Sequence, residues 1–120
     1  MTFEDLQKLT LEWADDKDLL HEENAEKQFM KFIEEVFEFK TEFDYLFRIS
    51  LFKDAVEDKI EVQKWMKLEM GDVFVTLIIL CEQIGIDPVE CLSMAYKKIS
   101  KRTGKTIGGQ FIKSEDLEDE

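Results

Sequence analysis

One proline, Pro88, and five glycines are all that interrupt 120 residues, and two of those glycines are adjacent near the end. So few breakers among many Glu, Lys and Leu predict long helices joined by few turns. Cysteine is equally scarce. Cys81 and Cys91 make no C-x-x-C spacing and have no second pair, so the simpler reading is a reduced, cytoplasmic chain in which both are small apolar fillers. The single histidine, His21, has no second histidine with which to share a metal. No apolar h-region follows Met1, where Glu4, Asp5 and Lys8 intervene, so no signal peptide is expected. The longest apolar run, Val73 to Cys81 with Thr76 inside it, falls well short of the roughly 20 residues that span a bilayer. Basic residues are in deficit too. Sixteen Lys and Arg stand against 28 Asp and Glu, a net charge of −12. That balance disfavours a nucleic-acid backbone as partner, since neutralising phosphates takes a basic face. It suits cation binding, or merely solubility.

What is present points to one soluble all-α domain over residues 1–113, followed by an acidic, frayed tail over 114–120. The first helix is expected from Phe3 to Leu20, with Thr2 and Asp5 forming a capping-box-like start. Asn24 is a candidate cap for a second helix that carries Phe29, Phe32, Ile33, Val36, Phe37, Phe39 and Phe43 into the forties. Periodicity fades over residues 48–58, the expected connection, with room for a short helix. A third helix should take Glu57 to Ile84 and stop at Gly85, its β-branched centre notwithstanding, because the pattern holds its register from Val62 to Ile84. Asp87 and Pro88 announce a fourth helix as N-cap and first helical residue. It should end near Gly104, with a loop over Lys105 to Lys113. The expectation is a four- to five-helix bundle. A domain this small buries a limited fraction of its surface, so pairing with further copies of itself is expected.

Four carboxylates stand out. With about 100° per residue, Glu69 falls about 20° from the middle of the third helix's apolar stripe and Asp72 about 80° from it. An ionised carboxylate among core residues costs several kcal/mol to desolvate, by roughly the measure of other buried ions, unless a cation sits beside it. On the second helix Glu35 lies about 40° outside the apolar arc, with Glu38 one turn on and Glu34 projecting from the other side of Glu38. If the two helices pack antiparallel, Glu35, Glu38, Glu69 and Asp72 converge, and a hard divalent cation, Mg²⁺ first and Mn²⁺ second, relieves their repulsion. The plainer alternatives are a solvated acidic face, or a facing lysine that satisfies the carboxylates structurally. A basic cluster complements them: Lys97, Lys98, Lys101, Arg102, Lys105 and Lys113 are six of sixteen basic residues, within seventeen positions. Placement near a helix C-terminus accounts for Lys101 and Arg102, but not for Lys105 and Lys113. Phosphates need such cations. Trp13 and Trp65 read as core anchors rather than base-stacking platforms.

The run E34-E35-V36-F37-E38 followed by E69-M70-G71-D72 resembles the paired E-x-x-E and E-x-x-D signature of the MazG-like, all-α nucleotide pyrophosphohydrolases. Trp13, Q28-x-x-K31 and G85-I86-D87-P88 add to the likeness. The ending K98-I99-S100-K101-R102-T103-G104-K105 with G109-Q110-F111-I112-K113 is similar to that of phage-associated members. Thirty residues separate Glu38 from Glu69, at or slightly beyond the upper end of the family's spacing. The resemblance implies a helical subunit working as a homodimer or homotetramer in the cytoplasm of a bacterial or phage-infected cell. It implies cleavage between the α- and β-phosphates of a nucleoside triphosphate. It makes Glu35, Glu38, Glu69 and Asp72 the ligands of Mg²⁺ (or Mn²⁺), with Glu38 or Glu35 taking a proton from the attacking water and Glu34 a lesser candidate. Lys31, Lys98, Lys101, Arg102 and Lys105 are then the residues expected to bind substrate. A di-iron carboxylate bundle is disfavoured, because Glu38 and Asp72 stand where histidines belong. A non-catalytic acidic protein, a DNA mimic or host-protein binder, fits the charge but not the carboxylates inside an apolar stripe. A nucleotide sensor that keeps the site without turnover is the third alternative.

Overall fold

The structure, a computed structural model, describes residues 1–49, 51 and 56–117. It is all-α apart from one small hairpin: α1 is Phe3–Asp16, α2 Ala25–Ile49, α3 Val56–Gln83, α4 Pro88–Ile99 and α5 the single turn Ser114–Leu117. None of the described helices is long and apolar enough to cross a membrane. The chain divides into two compact units, Met1–Ile86 and Asp87–Glu120.

In the first unit α1 opens with the expected capping box. Thr2 Oγ1 accepts from the Asp5 amide and Asp5 Oδ2 accepts from the Thr2 amide, both at 3.0 Å. The helix ends four residues short of the expected Leu20. Asp18 takes the left-handed conformation, φ 59°, and the Asp18 and Leu19 amides turn back onto the carbonyls of Asp15 and Ala14. This is a Schellman stop with aspartate where glycine is usual, which is why composition gave no warning of it. A 3₁₀ turn, Glu22–Asn24, leads into α2. The V-F-V-T-L-I-I-L stretch is helical as expected, and α3 closes on Gly85, φ 77°, with the Gly85 and Ile86 amides bonded to the Glu82 and Cys81 carbonyls.

The seam between α2 and α3 is the backbone of the unit. Gln28 meets Thr76, Glu35 meets Glu69 and Asp72, Phe39 and Leu46 share a groove with Met66 and Met70, and Glu42 and Tyr45 line a recess with Glu61 and Trp65. Numbers rise on one helix as they fall on the other, so the pair is antiparallel. The buried core sits mostly on the second half of α3, at Ile78, Ile79, Leu80 and Cys81, with Ala14, Ile49 and Val62. Gln83 Nε2 ties this end to the Leu19 carbonyl at 2.8 Å. Neither cysteine forms a disulfide among the described residues; Cys81 is buried and Cys91 exposed. No large side chain among the described residues is fully buried, and the tryptophans expected as core anchors are half exposed, Trp13 at 51% and Trp65 at 47%.

In the second unit Asp87 caps α4, its Oδ1 accepting from the Val89 amide at 3.4 Å, with Pro88 in the first turn as expected. The loop expected over Lys105 to Lys113 is instead an antiparallel hairpin of β1 (Gly104–Ile107) and β2 (Gln110–Lys113), paired from Gly104 with Lys113 to Ile107 with Gln110. Gly108 and Gly109 both have positive φ, 60° and 79°, the pair of conformations that lets two residues reverse a twisted ribbon. Gly104 is required for another reason. A Cβ there would lie 2.1 Å from the Ile112 carbonyl oxygen and 2.7 Å from the Phe111 ring. Residues 114–117 of the expected frayed tail form α5, while 118–120, like part of the connection expected over 48–58, lie outside the described residues.

Candidate metal centre

Three of the four expected carboxylates converge. One oxygen each from Glu35, Glu69 and Asp72 lies within 4.8 Å of the others. The side chains differ in depth: Glu35 is 7% exposed, Glu69 is half-buried and Asp72 faces solvent. The helical wheel put Glu35 outside the apolar arc, yet it is the most buried of the set. The arc marks where α2 is greasy, whereas Glu35 sits where α2 crosses α3.

Glu35 Oε1 pairs with Lys31 Nζ at 3.1 Å, one turn earlier on α2, and Lys31 also reaches Glu34 at 3.7 Å. Their side chains hold the lysine above its ordinary value, first through the hydrogen bond to Glu35 and then through the charge of Glu34. Apart from this pairing, one oxygen of each inner carboxylate is unanswered among the described residues. Glu35 Oε2 and Glu69 Oε2 are buried and find no hydrogen-bond partner among the described residues. Buried acceptors in that state are uncommon and destabilising, and two of them on residues of one carboxylate cluster fit a hard cation with oxygen ligands.

Glu38 completes the group from the solvent side. Its carboxyl is held above the usual carboxylate range, first by a side-chain hydrogen bond to Glu35, then by the negative charge of Glu35, with a further contribution from Glu69. Raising a carboxyl in this way moves it toward the range useful for proton transfer.

One turn beyond Asp72, at Thr76, a side chain of α2 bonds to α3, a contact that nothing in the sequence assigned. Thr76 Oγ1 donates back to the Asp72 and Val73 carbonyls at 3.1 and 2.9 Å, while the Thr76 carbonyl accepts from Gln28 at 3.2 Å. A buried threonine inside an otherwise aliphatic helical run was the available signal.

The expected substrate-binding lysines fall into two groups. Lys31 belongs to the carboxylate cluster. Lys98, Lys101, Arg102 and Lys105 belong to the second unit. There Lys98 and Arg102 line a pocket of about 530 Å³ with Thr103, Lys113, Ser114 and Glu115. Lys101 and Lys105 are exposed and do not line it. The Thr103 and Ser114 hydroxyls bond to each other at 2.8 Å, and Lys113 pairs with Glu115 at 3.9 Å. No protein-family model, curated protein or solved structure matches the chain.

Proposed function

We propose that the protein is a divalent-metal-dependent nucleotide pyrophosphohydrolase, cleaving an NTP or dNTP between the α- and β-phosphates to the monophosphate and pyrophosphate. The observation that carries this reading is the convergence of Glu35, Glu69 and Asp72 with two buried carboxylate oxygens that no described group answers. The paired acidic motifs on α2 and α3 are a second support. Glu35, Glu69 and Asp72 would hold Mg²⁺ or Mn²⁺, with Glu38 beside them. Bound there, such an ion would supply neutralisation of the charge developing on the phosphates and would lower the pKa of water. Glu38, or Glu35, accepts the proton as the water oxygen bonds to phosphorus and the bridging P–O bond breaks. Lys31 carries positive charge at the edge of the cluster, where it can meet a phosphate oxygen. Within the second unit, Lys98, Arg102 and Lys113 at the pocket, with Lys101 and Lys105 on the surface, form a separate cationic patch suited to phosphate groups.

The active form in this reading is a homodimer or homotetramer. Phe37 at 66% exposure, Leu92 at 71% and Tyr96 at 64% are among many large apolar side chains left open, more than a small monomer ordinarily shows.

The test is turnover of each common NTP and dNTP, and dUTP, in Mg²⁺ or Mn²⁺, with Glu38→Gln and Asp72→Asn in parallel. Pyrophosphate release that needs metal and disappears in both variants is expected. Orthophosphate release overturns the α–β cleavage, and no turnover with no metal binding leaves a non-catalytic acidic protein.

A further inference from the structure

The α2–α3 seam carries a second recess, and helical spacing puts it on the same flank as the carboxylate cluster. With about 100° per residue, Glu38, Glu42 and Tyr45 fall within about 60° of one another on α2. On α3, Asp72, Trp65, Glu61 and Asp58 do the same. The recess holds about 260 Å³ and is lined by Glu42, Tyr45, Asp58, Glu61, Val62 and Trp65. Tyr45 lies seven residues past Glu38, about 10 Å along the helix, and Trp65 four residues before Glu69, about 6 Å. That is about the reach of a sugar from phosphates held at the carboxylates.

Its chemistry differs from that of the metal cluster. Val62 closes the floor at 5% exposure, while the two aromatic side chains stay open, Trp65 at 47% and Tyr45 at 43%. The Arg48 guanidinium lies 5.9 Å from the Tyr45 ring centroid, a cation–π contact that helps hold that ring. Flat, exposed aromatic surface over an apolar floor suits a planar heterocycle. Glu42, Asp58 and Glu61 repel phosphate, so this is not where the triphosphate lies. Ionised, they only accept hydrogen bonds.

We propose that this recess receives the base of the nucleotide, stacked on Trp65 and Tyr45, and that its carboxylate rim selects bases with an exocyclic amino group. Resting on the hydrolase reading for where the phosphates lie, the assignment makes cytosine, adenine and guanine nucleotides the substrate class. Uracil and thymine place a carbonyl oxygen where cytosine carries its amino group and keep only N3–H as a donor on that edge, so a rim of several carboxylates meets one donor flanked by two acceptors, and an acceptor facing a carboxylate is unfavourable.

The experiment is calorimetric titration of the full chain, in Mg²⁺, with CMP, AMP, UMP and TMP, which report the base without requiring turnover. CMP and AMP are expected to bind about tenfold more tightly than UMP and TMP, the scale of a hydrogen bond made against one left unpaired. Trp65→Ala should weaken all four by about tenfold, with most of the affinity kept in Trp65→Phe. Glu61→Gln, whose amide can also donate, should bring the four together. Equal binding of the four, a preference unchanged in Glu42→Gln, Asp58→Asn and Glu61→Gln alike, or no binding by protein with its helical circular dichroism intact each overturns the assignment. A base preference without pyrophosphate release sinks the hydrolase and keeps the base site. Turnover without a preference does the reverse.

Discussion

The α2–α3 seam and the pocket beside the β1–β2 hairpin both gather charge of one sign, but in very different surroundings. At the seam Glu35 and Glu69 each bury an oxygen that nothing described answers, and Lys31 offsets the charge of Glu35 directly. At the pocket the cations are exposed or half-buried, Lys113 is paired with Glu115, and two hydroxyls answer each other. Like charges in water repel weakly, whereas like charges at a helix crossing are held together by the packing of the helices around them. The seam therefore stores unfavourable energy that a ligand can relieve. The pocket stores little.

Glu35→Gln should break this contrast most visibly. Removing the buried charge stabilises the metal-free protein by about 1 kcal/mol, since less repulsion and desolvation remain. The same change abolishes the gain from Mg²⁺, which for the wild type should reach about 2.7 kcal/mol with the ion at a hundred times its dissociation constant. Thermal melts in EDTA and in Mg²⁺ read both effects. A variant that is less stable without metal and still responds to it would show that the seam is an ordinary acidic face.

A smaller effect is expected at the pocket. Lys98→Gln with Arg102→Gln should weaken binding of inorganic pyrophosphate to the second unit about three- to tenfold by titration calorimetry, as befits charge-assisted contacts near the surface, leaving the Mg²⁺-dependent melting shift alone. If the double variant instead loses its response to Mg²⁺, the two regions do not act separately.

His21 sets the scale for charge outside both regions. Its pKa is raised above 6.5 by the hydrogen bond and charge of Asp18, then by Glu23. The folded state thus favours the protonated ring. That stabilisation is complete below 6.5 and is lost as pH rises through the raised value. Being exposed to solvent, it should give the smallest change in melting temperature across that window. His21→Gln should flatten it, and a slope that survives the substitution belongs to another group.

Helices with a chemical start or stop were legible in the sequence: Thr2 and Asp5 for α1, Gly85 for α3, Asp87 and Pro88 for α4. So was the all-α class, and so was the convergence of Glu35, Glu69 and Asp72, because helical spacing fixes which residues share a side. What escaped depended on partners. Aspartate at position 18 gives no hint of a left-handed stop. Gly108 and Gly109 signalled a turn, but short strands with little buried surface leave no alternation from which to infer a hairpin. The depth of Glu35 followed from where two helices cross, which no single-helix wheel contains.

The antiparallel register of α2 and α3 also governs which changes of chain length the protein can survive. One residue inserted between Glu35 and Ile49, or between Val56 and Glu69, swings everything beyond it by about 100° about the helix axis. One half of the cluster would then face away from the other. Length added between the end of α2 at Ile49 and the start of α3 at Val56 leaves both faces as they were. The thirty residues between Glu38 and Glu69 are thus a poor ruler of kinship. Descent can lengthen or trim that interval freely at its middle, while a single-codon slip within either helix erases the site.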